Sequence, residues 1–201
     1  MNPNELVLVV KNETIFKDGV WQGLKTDNLA YYLDLIKNNL EFKKRGEVEE
    51  DNSFQQIIPY ILFNFKDKYF IYQYLAKAGE QRLRNDYMLG VAGHINPVDN
   101  EKENTIEAGM IREWEEEVDF KGNLLEKKLI GILNDDSRPV EAVHLGLVYL
   151  FKGDSAEIVV KEKETIKGEM MTLPEIALCM EKSGGWAPII FKEYLSKLKI
   201  V

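Results

Sequence analysis

The chain has 201 residues, of which 45% are hydrophobic and 30% are charged, and its formal net charge is -8. This length and composition predict one globular domain with room for an extension, and they exclude a disordered chain. The negative charge argues against a nucleic-acid polymer or an anionic membrane as the partner, because both attract basic surfaces. The chain has one cysteine, no secretion signal at its N-terminus and no apolar run near the roughly 20 residues that span a bilayer, so we expect a cytoplasmic protein.

The N-terminal segment contains one predicted strand and one predicted helix. Leu6 to Val10 form a β-rich apolar run, and the apolar residues from Asn28 to Leu40 recur at helical spacing behind Asn28, a residue typical of helix N-caps. We therefore predict that residues 1–52 form an extension of the main domain. Because its strand and amphipathic helix must bury their apolar sides, we expect this extension to pack on the core or to form a homodimer contact.

Residues 53–201 are predicted to form the main domain, which begins with two strands joined by a turn at Lys66-Asp67-Lys68. The segment LGVAGHI carries three small residues, which allow the backbone to approach a ligand or a neighbouring strand. A helix is predicted from Asn104 to a point before Gly122. It is followed by three strands and two helices, in the order LEKKLIGIL, AVHLGLVYLF, EIVVKEKE, LPEIALCMEK and IIFKEYLSKL. Strands with helices packed on their faces indicate an α+β or α/β sandwich.

The helix that begins near Asn104 concentrates acids on one face. Glu113, Glu116 and Glu117 stand at offsets of three and four residues, which places them side by side. Like charges at this spacing cost a helix roughly 0.2–0.5 kcal/mol per pair, and Mg²⁺, which prefers oxygen ligands, would turn the repulsion into coordination. The alternative is a solvated acidic face with an Arg112–Glu116 ion pair. The buried stripe of the helix is predicted to be Ile106, Met110, Trp114 and Val118.

The segment from Gly93 to Phe120 resembles the Nudix box, G-x5-E-x7-R-E-U-x-E-E-x-G-U, in which U is a bulky apolar residue. Its R, E, U, E, E and last U positions are matched by Arg112, Glu113, Trp114, Glu116, Glu117 and Phe120. The order of the surrounding elements extends the resemblance from Phe54 to the C-terminus. The resemblance implies a Nudix-type α/β/α sandwich with a mixed sheet. It also implies a metal-dependent pyrophosphohydrolase that cleaves the diphosphate bond of a nucleoside diphosphate linked to another moiety.

The resemblance also implies roles for individual residues. Glu113, Glu116 and Glu117 are expected to bind Mg²⁺, for which Mn²⁺ could substitute, and Glu116 or Glu117 is expected to help deprotonate a metal-bound water. Arg112 is expected to orient the glutamates, and Gly93 to offer its backbone carbonyl to the metal. The alternatives are an ordinary surface ion pair for Arg112 and a simple strand-end position for Gly93.

Three departures from the family pattern bear on activity. Asn104 is assigned to the position of the first box glutamate, Asp119 replaces the second glycine, and the loop after Gly93 is longer than the usual five-residue spacer. The departures at Asn104 and Asp119 keep open a second class of function, a non-catalytic Nudix-like module that binds nucleotides or regulates. A prenyl diphosphate isomerase on the same fold is disfavoured, because it needs an early cysteine and the chain has only Cys179.

A further acid is expected to reach the metal cluster from the loop after EIVVKEKE. The segment GEMMTLPEI resembles the family segment that carries such an acid, which makes Glu169 the candidate. Glu162 and Glu164 are its rivals. For each of the three the alternative is a solvated position in the loop.

The remaining candidates have ordinary structural explanations beside functional ones. His94 adjoins Gly93 and could approach the substrate, whereas His144 lies in an apolar strand typical of a core residue. Cys179 is expected to be buried in its helix. Two arginines could bind a phosphate and three aromatic residues could stack on a base, although a solvated pair and core positions explain them as well: Arg82, Arg84, Tyr74, Tyr87 and Trp186.

Overall fold

The structure, a computed structural model, describes residues 2–75, 87–101 and 103–198. Its strands are β1 Leu6–Lys11, β2 Gly23–Lys25, β3 Glu41–Lys44, β4 Phe54–Phe65, β5 Lys68–Tyr74, β6 Tyr87–Met88, β7 Val91–Ala92, β8 Val118–Phe120, β9 Leu124–Asn134, β10 His144–Gly153, β11 Ile158–Val160 and β12 Ile166–Thr172. Its helices are α1 Asn12–Ile15, α2 Leu29–Asn38, α3 Arg45–Val48, α4 Thr105–Glu117, α5 Pro139–Ala142, α6 Leu173–Met180 and α7 Trp186–Glu193.

Ten of the described strands belong to one mixed sheet. Its main order is β12-β5-β4-β10-β9-β2, and β1 pairs with β3 and β4, β6 with β5, and β7 with β4. The remaining strands, β8 and β11, form a separate antiparallel pair. A mixed sheet accompanied by helices confirms the predicted α+β fold.

The predicted hairpin at the start of the main domain is confirmed. Strands β4 and β5 are antiparallel, and Phe65 is paired with Lys68, which leaves Lys66 and Asp67 in the turn. Lys66 has a φ of 55°. The Asn64 side chain closes this turn by donating to the backbone carbonyls of Lys66 and Lys68, each at 2.9 Å. A side-chain amide thus stabilises a turn that lacks glycine.

Two helix ends differ in detail from the prediction. The helix α4 ends at Glu117, and Val118, predicted to belong to the helix, is buried in β8 instead. The helix stops there because β11 pairs with the following residues, with Val160 opposite Val118, and because the Lys161 N–H donates to the Glu117 carbonyl at 2.9 Å. Asn28 occupies the N-cap position of α2, but its φ is 55° and its side chain makes no cap hydrogen bond.

The segment that contains Glu169 is a strand, and not the loop that the sequence pattern predicted. It forms β12, which pairs with β5 over its whole length, with Glu169 opposite Ile71. The next helix, α6, begins directly after Thr172, which forms a capping box with Glu175. Pairing with a neighbouring strand has therefore overridden the weak β pattern of IKGEMMT.

The described chain divides into two compact units. The first comprises Met1–Tyr60, Ala92–Glu113 and Leu129–Val148. In it, β1 lies between β3 and β4, and its apolar side chains from Val7 to Val10 are 0% exposed. The strand of the N-terminal extension is therefore buried within the chain, so its apolar residues supply no argument for a homodimer.

The second unit comprises Ile61–Val91, Trp114–Lys128 and Tyr149–Val201. An aromatic cluster occupies its interior. The Phe63 ring lies 4.9 Å from that of Phe120 and 5.6 Å from that of Trp114, and the Trp114 and Phe151 rings are 5.3 Å apart. Buried aromatic pairs of this kind contribute dispersion and ring contacts in addition to area burial. They hold Trp114, which begins the last turn of α4, in the interior of this unit.

Candidate active site

The side chain of Arg112 is the centre of a dense polar network in the first unit. Its Nε and Nη2 donate to the two carboxylate oxygens of Asp99 at 3.0 and 2.9 Å, and its Nη1 donates to Glu113 Oε1 at 2.8 Å. Nη2 also donates to the backbone carbonyl of His94 at 2.7 Å and to Asn96 Oδ1 at 3.0 Å. The paired, charge-assisted bonds to Asp99 raise the pKa of Arg112 further above its already high ordinary value. Arg112 is therefore permanently charged and held in one orientation.

Asp99 is a site residue that the sequence analysis missed. Its side chain is 4% exposed and also accepts a hydrogen bond from the Asn96 N–H at 2.9 Å. Five residues separate it from Gly93, which is the spacing of the first acid in the Nudix pattern. The spacer after Gly93 is thus of ordinary length, and the extra residues lie between Asp99 and Arg112. A count of five from Gly93 would have found this acid.

Asn104, which the sequence analysis assigned to that acidic position, lies at the start of α4. Its Oδ1 accepts from the Glu107 N–H at 3.5 Å, and its Nδ2 donates to the Glu107 carboxylate at 3.4 Å. The bond from the Glu107 N–H makes Asn104 an N-cap of the helix. Asn104 therefore caps the helix and does not replace the first acid of the pattern. That acid is Asp99, which lies beside Arg112.

Gly93 and Glu113 are brought into direct contact. A Cβ atom built on Gly93 would lie 1.9 Å from Glu113 Oε2, a distance that no side chain could occupy. The carboxylate of Glu113, which is 8% exposed, thus rests against the backbone of Gly93. The two residues bring a carboxylate against the main chain at Gly93, and their part in binding a metal stays a prediction.

Glu117 lies at the end of α4 in the second unit and is only partly exposed. Burial raises the pKa of Glu117 above its ordinary value, and the negative charges of Glu162 and then Glu116 raise it further. Glu162 is close because β11 runs beside the end of the helix, where the backbone of Lys161 bonds to that of Glu117. Glu116 itself is exposed. This group of acids concentrates negative charge that a cation would neutralise.

Glu169 has different surroundings. It is exposed on β12, and its carboxylate pairs with Lys167 Nζ at 3.2 Å. Its contacts give it the role of a surface ion pair. Of the three acids proposed for the distal position, Glu162 is the one whose charge acts on Glu117, whereas Glu164 is an exposed residue of the turn that follows β11.

The two histidines lie together in the first unit, with ring centroids 5.7 Å apart. His94 Nε2 is 3.0 Å from Gln56 Oε1, and His144 Nδ1 contacts the Val140 carbonyl. Burial lowers the pKa of His94 to about 3, and the nearby charges of Arg45 and His144 contribute to the shift. His94 is therefore neutral at neutral pH, and its side-chain contacts are with Gln56 and His144.

This depressed pKa has a consequence for stability. The unfolded chain would bind a proton at position 94 below about pH 6.5, whereas the folded chain excludes it until the pH approaches 3. The contribution of His94 to stability is thus present above pH 6.5 and is lost as the pH falls. We expect a loss of about 1–2 kcal/mol between pH 7.5 and pH 5 in urea unfolding, and a clearly smaller loss in His94→Asn. Equal losses in both proteins would contradict this assignment.

The remaining candidates from the sequence play smaller parts. Cys179 is partly buried on α6, burial raises its pKa, and its Sγ lies 3.9 Å from Met171 Sδ, so it is not an activated nucleophile. Asp119 lies in β8, in extended backbone that needs no glycine, and pairs with Lys121 at 2.7 Å. Tyr74, Tyr87 and Trp186 are all partly buried. Arg82 and Arg84 lie outside the described residues.

The side chains and backbone of this site can be compared with the ligands that a divalent cation requires. Within residues 2–75, 87–101 and 103–198, no three His, Cys, Asp or Glu side chains are arranged as a complete metal site. Mg²⁺, however, usually binds to one or two carboxylates together with substrate phosphates and water. Glu113 beside the backbone of Gly93 offers oxygen donors of this kind. The residues therefore fit a cation whose coordination is completed by substrate oxygens.

No protein-family model matches this sequence. Protein YmaB of Bacillus subtilis (strain 168) is 33% identical over 183 residues, which cover 86% of this chain and 88% of YmaB. In the part of the chain that the structure describes, the helices are all too short or too polar to cross a bilayer.

Two solved structures have the same fold. Tm1382, described as a candidate Nudix hydrolase, is 29% identical and superposes with a TM-score of 0.83 over 96% of this chain and all of its own. A bifunctional NMN adenylyltransferase/ADP ribose pyrophosphatase from Francisella tularensis, in complex with AMP and a manganese ion, is 17% identical. It has a TM-score of 0.52 and is matched over 71% of this chain and 42% of its own. With this fold and with Arg112, Glu113 and Gly93 joined as described, the chain belongs to the Nudix hydrolase family.

Proposed function

We propose that the protein is a metal-dependent pyrophosphohydrolase that cleaves the diphosphate bond of a nucleoside diphosphate linked to another moiety. The observation that carries this proposal is the fixed contact between Arg112, Glu113 and the backbone of Gly93. A surface ion pair would not need five hydrogen bonds to hold one guanidinium. The two departures that favoured a non-catalytic module also have structural explanations, because Asp99 pairs with Arg112 and Asp119 lies in a strand.

Each residue of the site has a separate role in the proposed reaction. Mg²⁺ or Mn²⁺, when bound, would neutralise the diphosphate and lower the pKa of a bound water. Arg112 orients the Glu113 carboxylate, so that this ligand is in place before substrate arrives. Glu117 has a raised pKa, which makes its carboxylate a better proton acceptor at neutral pH than an ordinary glutamate. Glu116 is exposed on the same helix and would bind the cation on its solvent side.

The proposed substrate class rests on the family and on charge. The Francisella relative binds AMP and manganese, and it is matched at a level of identity that supports the fold alone. A net charge of -8 disfavours a polyanionic polymer and suits a small nucleotide that arrives with its counter-cation. We therefore place the substrate among nucleotides with an internal diphosphate, and not among nucleic acids.

The test is hydrolysis of a panel of ATP, ADP-ribose, diadenosine tetraphosphate and coenzyme A with Mg²⁺ or Mn²⁺, monitored by release of phosphate or monophosphate. We expect turnover of at least one diphosphate compound and its complete loss after exhaustive EDTA treatment, because water alone is a poor nucleophile. Turnover that survives EDTA would contradict the metal requirement. Calorimetric binding of a panel compound without any turnover would instead support the non-catalytic module.

The distal acid can be identified by three matched substitutions. Because Glu162 is the neighbour whose charge acts on Glu117, we expect Glu162→Gln to lower kcat by about tenfold. Glu169→Gln and Glu164→Gln make the same chemical change on β12 and in the adjacent turn, and both are expected to retain the turnover of the unaltered protein. Kinetics at saturating Mg²⁺ would decide. A large loss in Glu169→Gln alone would show that β12 moves toward the helix during catalysis.

A further inference from the structure

The side chain of Asn96 joins the N-terminal extension to the Nudix box. Asn96 Nδ2 donates to Glu5 Oε1 at 3.1 Å and to the Leu6 carbonyl at 2.9 Å, and both acceptors belong to the extension. Its Oδ1 accepts from Arg112 Nη2 at 3.0 Å. A single amide group therefore connects the first strand of the chain to the central arginine of the box.

The orientation of this amide is fully determined by its partners. Both hydrogens of Nδ2 point to oxygen atoms of the extension, and the carbonyl oxygen points to a cation. If the amide were reversed, its oxygen would lie against the two acceptors of the extension. Its NH2 group would then lie against the donors of Arg112. Asn96 is also held at its own backbone, where its N–H donates to Asp99 Oδ2 at 2.9 Å.

The extension is itself anchored where it meets Asn96. Glu5 Oε2 accepts from Arg45 Nη1 at 3.2 Å, and Arg45 Nε donates to Glu49 at 2.9 Å. The Leu8 N–H donates to the Ile95 carbonyl at 2.8 Å, which ties the backbone of β1 to the residue before Asn96. The side chains of Glu5 and Arg45 are 29% and 24% exposed, so these bonds are partly shielded from water. The anchor is thus stiffer than a surface ion pair.

We propose that the N-terminal extension is a positioning element of the active site, with Asn96 as the positioning residue that orients Arg112 and, through it, Glu113. This inference rests on the proposed function, because it assigns the extension a part in the same hydrolysis. It accounts for a segment of about fifty residues that the Nudix box does not explain. Asn96 contacts neither substrate nor metal in this scheme, and its effect is on the geometry of the residues that do.

The decisive variant is Asn96→Asp. It keeps the shape of the side chain and an acceptor for Arg112, but it replaces the donor nitrogen by an oxygen that faces Glu5 and the Leu6 carbonyl. We expect kcat to fall by about tenfold with KM unchanged, because a displaced arginine misplaces a metal ligand without removing substrate contacts. We also expect the ¹⁵N resonance of Arg112 Nε to shift and its proton to exchange faster with solvent.

A second substitution tests whether the lost bond is the cause. In the double variant Glu5→Gln, Asn96→Asp, the new amide at position 5 can donate to the new carboxylate at position 96. The side-chain pair is thereby restored with its polarity reversed, while the Leu6 carbonyl still lacks its donor, so kcat and the Arg112 resonance are expected to recover in part. The matched control is Glu47→Gln, which removes a carboxylate of the extension that pairs with Lys44 at 3.7 Å and belongs neither to the anchor nor to the contacts of Asn96. It is expected to leave kcat and the Arg112 resonance unchanged.

The measurement uses the full chain and the panel compound that the unaltered protein hydrolyses fastest. An unchanged kcat in Asn96→Asp, or a loss that the double variant fails to restore, would overturn the inference. If the unaltered protein hydrolyses none of the panel compounds, the proposed function fails, and the Arg112 resonance decides about the extension on its own. A resonance that is unmoved in Asn96→Asp then overturns the inference, and one that moves and is restored supports it.

Discussion

Glu117→Gln is expected to lower turnover by more than about a hundredfold, because it removes a charge that, in the proposed mechanism, both binds the cation and accepts a proton. The same change is expected to raise the free energy of unfolding in the absence of metal. The raised pKa of Glu117 means that its ionised form is disfavoured in the folded state, chiefly by burial. That cost appears as the pH rises above the ordinary pKa of a glutamate and is present at neutral pH, and a neutral glutamine of the same size removes it. Steady-state kinetics and urea unfolding in EDTA measure the two effects.

Glu115→Gln is the matched control for this experiment. Glu115 is exposed on the same helix and occupies the one position between the box residues that the pattern leaves free. It is expected to retain both the turnover and the stability of the unaltered protein. If Glu117→Gln keeps near-native turnover while Glu115→Gln loses it, the cation is bound elsewhere on the helix.

Asp99→Ala is expected to destabilise the protein by about 3 kcal/mol, because it leaves the guanidinium of Arg112 partly buried without its principal counter-charge. Asp99 receives two of the hydrogen bonds from Arg112, at 3.0 and 2.9 Å, and is almost completely buried. Turnover is expected to fall as well, since Arg112 also holds Glu113. Urea unfolding and kcat at saturating Mg²⁺ measure these losses in the same preparation.

Asn104→Ala tests whether Asn104 or Asp99 occupies the position of the first acid in the Nudix pattern. If Asn104 supported Arg112, its removal would reduce turnover. Because it caps α4 with long, exposed hydrogen bonds, we expect a loss of under about 1 kcal/mol in stability and no change in kcat. Loss of turnover in Asn104→Ala together with normal turnover in Asp99→Ala would contradict the assignment of Asp99 as the acid that supports Arg112.

The elements that could be predicted from the sequence are those in which local pattern and packing agree. Trp114 and Met110 recur at helical spacing and are buried, and the turn at Lys66 joins two long apolar strands, so α4 and the β4–β5 hairpin follow from periodicity alone. Strand β12 could not be predicted in this way. Its register with β5 decides its conformation, and a partner distant in sequence leaves no local signal around Glu169.

The candidate site was predictable in its residue types more than in its contacts. Glu113 and Glu117 are neighbours one turn apart on α4, yet one is held by Arg112 and the other faces the acids Glu116 and Glu162. This difference depends on which strand runs beside each turn of the helix. Asp99 was missed because the pattern was aligned from the helix, and the long segment before α4 moved the count to Asn104.

The two glycine positions of the family pattern differ in how freely they can change over generations. At the first, the Glu113 carboxylate occupies the space where any side chain at position 93 would begin, so every missense mutation in that codon is expected to displace Glu113. At the second, the chain already carries Asp119, in an extended strand with an exposed side chain that pairs with Lys121. We therefore expect genetic drift to change the second glycine position among relatives of this chain and purifying selection to retain Gly93. Gly93 and its spacing to Asp99 should then identify distant relatives better than the complete motif does.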